Sequence, residues 1–157
     1  MADSTFEMHE LLGPLAFLIG SWQGQGEGMW PGGFAFSDSM VFAHDGRPIL
    51  RYEQLTKGPE GRPSHCECGY LVAQANGDVH VTVAEPSGIT EVLVGRPESD
   101  SIVLRSVAIG HSPTTENVTA CRRTLRIEDG ALVAELEISV NGEELAPHTV
   151  SVLRLVS

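Results

Sequence analysis

The chain has 157 residues, the usual size of one domain, so we expect a single domain over residues 1–157. Its formal charge of −11 and its sequence pI near 4.8 repel nucleic-acid phosphates and anionic membrane surfaces, so we expect neither as a partner. The N-terminal segment MADSTFEMHE carries acids and leads into no long apolar run. This pattern predicts no secretory signal, no transmembrane helix and a cytoplasmic location.

Residues 6–18 have apolar side chains at intervals of three and four, which predicts one short helix or turn that Gly13-Pro14 interrupts. Beyond Gly20 the period changes to two, and Gly, Pro, Asn and Asp interrupt the chain about every ten residues. This pattern is typical of a meander of short strands. About ten strands are predicted, roughly over 22–29, 34–44, 49–57, 64–73, 79–84, 89–96, 102–109, 117–128, 131–141 and 147–155.

Three Asn-Gly or Asp-Gly pairs separate successive strands, at Asn76-Gly77, Asp129-Gly130 and Asn141-Gly142. Such pairs favour two-residue type I′ hairpins, so consecutive strands are predicted to be antiparallel neighbours. Ten strands without helices to cover an open sheet avoid exposed edges by closing on themselves. We therefore predict an all-β fold, an up-and-down antiparallel barrel wide enough to hold one small ligand.

The densest glycine run is GSWQGQG, in which Gly20, Trp22, Gly24 and Gly26 stand at even spacing and share one strand face. Glycines permit a tight bend in a barrel strand, and a large Trp side chain closes one end. A phosphate-binding loop is rejected because no helix and no Lys-Ser/Thr pair follow. The motif is interpreted as architectural.

The cysteines, and the histidines outside the last strand, are interpreted as structural residues and not as metal ligands. His65 and Glu67 alternate with Cys66 and Cys68, which places the histidine outward or behind a site and predicts packed cysteines. All three cysteines, including Cys121, lack CxxC spacing and are predicted to be reduced thiols. The remaining histidines outside the last strand are predicted to be solvated or bonded within turns, namely His9, His44, His80 and His111.

His148 differs because it stands in the last predicted strand, where we place it on one face with Val150 and Val152. If that face is the interior, the imidazole is desolvated. Two interpretations stay open from this pattern: a core histidine bonded to a neighbour, or a single axial ligand of a cofactor iron.

Six segments, in order, resemble the nitrobindins, haem-containing ten-stranded barrels of the calycin type, similar to fatty-acid-binding proteins and lipocalins. They are LGPLAFLIGSWQGQGEG, FAHDGRPIL, RPSHCECGYL, EPSGITEVLVG, SPTTENVTA and APHTVSVLRL. The resemblance implies that His148 is the proximal ligand of a five-coordinate ferric haem b. It further implies nitric oxide binding, isomerisation of peroxynitrite to nitrate at that iron, and a homodimer.

Two departures from the family pattern concern the mouth of the barrel. Many members have tyrosine, proline and threonine where this chain has Trp30, Pro31 and Gly32, and often a lysine at the position of Glu116. A lysine there can pair with a haem propionate, whereas Glu116 would repel it. Four arginines are candidate substitutes, namely Arg51, Arg105, Arg122 and Arg123.

Two other functions remain open from the sequence. The barrel can be a carrier for a fatty acid or another apolar ligand, with His148 as a core residue. Alternatively, it can be a haem-binding sensor that binds nitric oxide without catalysis.

Overall fold

A computed structural model describes residues 5–157 and shows one 3₁₀ helix, Glu10–Leu18, followed by strands. The strands are β1 (Gly20–Gly28), β2 (Ala35–Ala43), β3 (Ile49–Lys57), β4 (Pro63–Ala73), β5 (Val79–Ala84), β6 (Ile89–Pro97), β7 (Ser101–His111), β8 (Val118–Glu128), β9 (Ala131–Val140) and β10 (Ala146–Leu155). A second 3₁₀ turn, Pro59–Gly61, lies between β3 and β4. Across residues 5–157, no helix has the length and hydropathy needed to span a membrane.

The ten strands form one closed antiparallel barrel in which each strand pairs with its neighbours in sequence. Closure is made by β1, which pairs with β2 on one side and β10 on the other. Trp22, for example, lies opposite Met40 of β2 and Leu155 of β10. A closed barrel has no free strand edge. The predicted all-β fold, an up-and-down antiparallel barrel, is confirmed.

All ten predicted strands are present, with ends within two residues of the predicted ones. The alternation of apolar residues predicted the positions of the strands well, because one face of each strand is buried. The predicted break at Gly13-Pro14 was wrong, since the 3₁₀ helix continues through Pro14. His9 caps the start of the helix, because its Nδ1 accepts a hydrogen bond from the N–H of Leu11.

The turn predictions hold in part. Asp129-Gly130 is a two-residue connection with positive φ at both residues, as a type I′ turn requires. Asn141-Gly142 also has positive φ at both, but it opens a five-residue loop between β9 and β10. At Asn76-Gly77 the glycine alone has positive φ, so this turn is not type I′.

One end of the barrel is closed by Trp22 and the N-terminal helix. Leu12, Leu15 and Leu18 of that helix are fully buried, and Trp22 is 5 % exposed. The indole N–H of Trp22 donates to the carbonyl of Leu18 at 2.8 Å, so its polar atom is satisfied inside the core. The predicted role of Trp22 in closing one end is confirmed.

The glycines of the motif allow neighbouring groups to approach β1 closely. A Cβ on Gly24 would lie 2.1 Å from the carbonyl oxygen of Val152, and one on Gly26 would lie 2.3 Å from the Phe36 ring. Both contacts are shorter than atoms tolerate. Positions 20, 22, 24 and 26 lie on one face of β1, where Gly20, Trp22 and Gly26 are buried and Gly24 is half-buried, and these close approaches agree with the architectural interpretation.

Candidate functional site

The end of the barrel opposite the N-terminal helix holds a cavity of about 510 Å³. This volume lies within the range of about 300–1,000 Å³ that is typical of small-molecule and cofactor sites. Its mouth is formed by residues from several loops, among them Trp30, Ser87 and Glu116. The inner walls come from the facing strands of the barrel.

His148 faces this cavity because β10 carries a bulge there. The pairing with β9 shifts between Pro147 and Thr149, so His148 is the extra residue of the bulge. The bulge allows both His148 and Thr149 to line the cavity. The predicted shared face with Val150 and Val152 was wrong, since Val152 lies on the outer surface and is 49 % exposed.

One wall of the cavity near His148 is aromatic. The imidazole of His148 stacks on the Trp30 indole, with ring centroids 4.7 Å apart and planes at 27°. Trp30 meets Phe34 edge-on at 6.1 Å, and Phe34 meets Phe36 in the same way at 6.4 Å. This row of rings gives a flat ligand an apolar surface beside the imidazole.

Burial lowers the pKa of His148, although the nearby carboxylate of Glu116 acts in the opposite direction. The imidazole is therefore neutral at neutral pH, the form in which histidine ligates metals. The N–H of Met29 donates to the carbonyl of His148 at 2.8 Å and anchors the backbone of the bulge.

The other wall of the cavity is acidic. In this acidic wall Glu67, Glu85 and Glu91 surround the guanidinium of Arg123. Its Nη1 lies 2.5 Å from Glu67 of β4, and its Nη2 lies 2.5 Å from Glu91 of β6. Glu85, directly after β5, lies 3.6 Å from the same Nη2. The side chains of Glu67 and Glu91 are nearly inaccessible, at 2 % and 3 %. Ion pairs at this depth are strongly interdependent, because an unpaired charge there is costly.

Further hydrogen bonds complete this acidic wall. The phenol O–H of Tyr52 donates to Glu67 at 2.6 Å, and Nε2 of His65 lies 3.0 Å from the other oxygen of Glu67. The buried thiol of Cys121 donates to Glu91 at 2.6 Å. Burial raises the pKa of Cys121 well above its usual value, so this group remains a thiol.

The pKa values of the carboxyl groups separate according to their contacts with Arg123. Burial alone would raise the pKa of Glu67, but the charge of Arg123 and several hydrogen bonds outweigh it and hold this pKa well below normal. The same opposition leaves the pKa of Glu91 lowered. Glu85 is more weakly paired, and burial, followed by the charge of Glu67, raises its pKa to about 7.

A further buried carboxylate lies beneath the cavity. Asp38 accepts hydrogen bonds from Ser151 at 2.7 Å, Gln54 at 2.8 Å and Thr56 at 3.0 Å, and burial raises its pKa. Together with the Arg123 cluster it forms a polar layer across the barrel. Beyond this layer, towards the closed end, the interior is packed around a small void of about 40 Å³.

The structure corrects the orientation of β4. Glu67 is buried and His65 lines the cavity, so the face predicted to point outward is the inner one. Cys66 and Cys68 lie on the outer face, and Cys68 is exposed rather than packed. Alternation identified the two faces correctly, but the polar character of the inner face concealed which was which.

The other histidines do not line the cavity, and each is exposed or bonded to nearby backbone, as predicted. His9 caps the N-terminal helix, and His80 is exposed on β5. His44 is buried, with Nδ1 accepting from the N–H of Gly46 in its turn. His111 ends β7, and its Nε2 bonds to the carbonyl of Val118.

The mouth of the cavity is negative. Glu116 lines it, and none of the described lining residues is a lysine or an arginine. The four arginines considered as substitutes lie elsewhere. Arg122 pairs with Glu137, Arg105 and Arg51 are exposed, and Arg123 is held by the acidic wall.

A divalent metal at the acidic wall is disfavoured by Arg123. His65, Glu67 and Glu85 present ligand atoms within 4.8 Å of one another. The guanidinium already contacts both oxygens of Glu67, at Nη1 and Nη2. A cation bound at this carboxylate would be repelled by that charge.

The acidic wall was not found from the sequence, although a signal for it exists. Glu91 lies between Ile89 and Leu93 on one strand face, and Arg123 lies between Cys121 and Leu125. A charged residue on an apolar face indicates a buried ion pair. Which residue pairs with such a charge depends on how the strands are aligned when the barrel closes.

We predict that Arg123→Gln destabilises the protein by about 3–5 kcal/mol, because it leaves two buried carboxylates without a counter-charge. The adjacent substitution Arg122→Gln is the control, since Arg122 pairs with Glu137 at the surface and should change stability little. Urea denaturation measures both variants.

The stability that Arg123→Gln loses relative to the wild type should become smaller as the pH falls from 7 to 5. The wild type holds the pKa of Glu67 low, whereas in the variant this carboxyl takes up a proton more readily. Equal stability of the two variants at pH 7 would contradict the assigned role of Arg123.

Comparison with known proteins gives a consistent assignment. A family model described as the THAP4-like, heme-binding beta-barrel domain matches residues 11–154. Peroxynitrite isomerase 2 of Mycobacterium marinum is 37% identical over 155 residues, 94% of this chain and 96% of that protein. Peroxynitrite isomerase Rv2717c of Arabidopsis thaliana is 32% identical over 151 residues, 93% of this chain and 89% of that protein.

A solved structure supports the same assignment. The crystal structure of Rv2717c from M. tuberculosis has a TM-score of 0.86 to this chain at 37% identity, covering 96% of this chain and 100% of that one. The chain therefore belongs to the THAP4-like haem-binding β-barrel domains, the nitrobindin family that its sequence resembles.

Proposed function

We propose that this protein holds one ferric haem b in the cavity through His148, binds nitric oxide there and isomerises peroxynitrite to nitrate. The observation that carries the proposal is the bulge in β10, which directs one neutral imidazole into an aromatic-lined cavity. The names of the relatives supply the reaction, since those proteins are called peroxynitrite isomerases.

The described residues fit a haem in three respects. The cavity volume of about 510 Å³ is in the range of cofactor sites. One imidazole suffices as an axial ligand, and burial keeps His148 in the neutral form by lowering its pKa. The rings of Trp30, Phe34 and Phe36 offer an apolar wall to a flat macrocycle.

When bound, a ferric haem supplies an electrophilic iron that polarises a peroxo oxygen. The protein's contribution is to orient and shield. Stacking on Trp30 restricts the rotation of the His148 ring, and the Met29 N–H fixes the backbone that carries it. The aromatic wall gives one side of the cavity an apolar surface, while the acidic wall places polar hydrogen-bonding groups on the other.

A fatty-acid carrier is less well supported by this cavity. A fatty acid brings a carboxylate, and the cavity already contains Glu67, Glu85, Glu91 and Glu116. Its tail needs a long apolar channel, but the polar layer around Asp38 and Arg123 separates the cavity from the packed end. The homodimer and the cytoplasmic location remain predictions.

We predict that purified protein mixed with hemin gives a Soret band that titrates to one hemin per chain, and that His148→Ala loses this band. His80→Ala is the matched control, because His80 is exposed on the outer face of β5 and should retain full binding. Circular dichroism checks that both variants keep the barrel. A His148→Ala protein with an unchanged Soret band would show that another residue holds the iron.

We also predict that Glu116→Lys tightens hemin binding by roughly fivefold, because it replaces a repulsive charge near the propionates with an attractive one. Glu53→Lys makes the same charge change on the outer face of β3 and should leave the affinity unaltered. Hemin titrations at low and high salt measure both. The gain should diminish at high salt, and equal gains in the two variants would contradict the placement of Glu116 at the mouth.

A further inference from the structure

The acidic wall contains more negative charge than its guanidinium can neutralise. Three carboxyl groups, those of Glu67, Glu85 and Glu91, surround the single charge of Arg123 at distances of 2.5, 3.6 and 2.5 Å. If all three were ionised, their negative charge would exceed the positive charge of Arg123 by two, although all three side chains are largely buried. Like charges this close favour retention of a proton on one of them.

The weakest contact with Arg123 indicates which group keeps that proton. Glu67 and Glu91 each lie at ion-pair distance from the guanidinium, and each accepts a further hydrogen bond, from Tyr52 and Cys121 respectively. Glu85 lies farther from Arg123, at 3.6 Å from Nη2, and accepts a hydrogen bond from the hydroxyl of Ser87 at 3.1 Å, so the guanidinium stabilises its ionised form least. The proton therefore resides on Glu85.

Glu116 and His148 line the same cavity as Glu85. The titratable groups in the wall around Glu85 come from four strands. They are Tyr52 on β3, His65 and Glu67 on β4, Glu91 on β6, and Cys121 and Arg123 on β8. The hydrogen bond to Glu67 raises the pKa of His65, which favours its protonated form. When His65 and Glu85 are both protonated, Glu85 is neutral. The positive charges of Arg123 and His65 then balance the negative charges of Glu67 and Glu91.

We propose that Glu85 is the acid of the cavity: its carboxyl group gains and loses a proton around neutral pH, and in the protonated form it donates a hydrogen bond to an anion bound there. This inference rests on the proposed function, because the anion in question is peroxynitrite. Glu85 lines the same cavity as His148. Topology places the two apart, since β5 and β6 lie halfway around the closed barrel from β1 and its neighbour β10.

The proton balance agrees with an isomerisation. Peroxynitrite and nitrate carry the same single negative charge, so no proton is consumed overall. The Glu85 proton is shared with the bound anion through a hydrogen bond and stays with Glu85 when nitrate leaves. No bond of the protein is formed or broken in this role.

Infrared spectroscopy of the haem-free protein tests the protonation directly. The wild type should show a carboxylic-acid C=O band that disappears with a midpoint near neutral pH, since burial and the charge of Glu67 raise the pKa of Glu85 to about 7. Glu85→Gln should lack this band, and Glu53→Gln, on the outer face of β3, should retain it. A band that survives in Glu85→Gln, or no band titrating between pH 6 and 8, would overturn the proposal.

Azide binding to the hemin-loaded protein tests the hydrogen bond. In the wild type the azide affinity should fall by about tenfold from pH 6 to pH 8, as Glu85 loses its proton and becomes repulsive. In Glu85→Gln, whose amide remains a neutral donor, the affinity should change much less over this range. Any effect of pH on the iron itself is common to both proteins, so the ratio of their Kd values is the readout.

The two experiments separate the failure of this inference from the failure of the proposed function. A protein without a Soret band that still loses its infrared band in Glu85→Gln contradicts the haem function but supports the protonation of Glu85. Identical pH profiles of azide binding in the wild type and Glu85→Gln would overturn the role of Glu85 in anion binding, even if the haem binds as proposed.

Discussion

The ion pairs of Arg123 with Glu67 and Glu91 are the contacts on which the interior of this barrel depends. They join β8 to β4 and β6 across the inside of the barrel, so they link strands that share no backbone hydrogen bonds. Together with the bonds around Asp38 they divide the interior into a packed end and a hollow end. The cavity has its depth because this polar layer is its floor.

The hollow end combines two chemically different walls. The aromatic wall, with Trp30, Phe34 and Phe36, belongs to the β1–β2 region and lies next to the bulge that carries His148. The acidic wall belongs to β4–β6 and β8. A flat apolar cofactor ligated by His148 can use the first wall, which leaves the second to contact a small polar ligand. This division of roles is what we expect of a site that binds a cofactor and also handles an anion.

Much of the fold could be predicted from the sequence because alternation and turn residues are local signals. The strands and the inward Trp22 follow from such signals, whereas the role of His148 as an iron ligand is implied by the family resemblance. The predicted strand face of His148 was wrong, because a bulge changes the face on which a residue lies and gives no clear signal in the sequence. The acidic wall escaped prediction because its members lie on four different strands and meet only when the barrel closes.

Stopped-flow measurement of peroxynitrite decay, combined with nitrate analysis, tests the claim that His148 holds a haem at which peroxynitrite is isomerised. Hemin-loaded wild type should accelerate the decay and yield nitrate, whereas haem-free protein and His148→Ala mixed with hemin should not. Acceleration no greater than that of the same concentration of free hemin would contradict the claim. If nitric oxide still bound to the wild-type haem in that case, the protein would be a sensor rather than an enzyme.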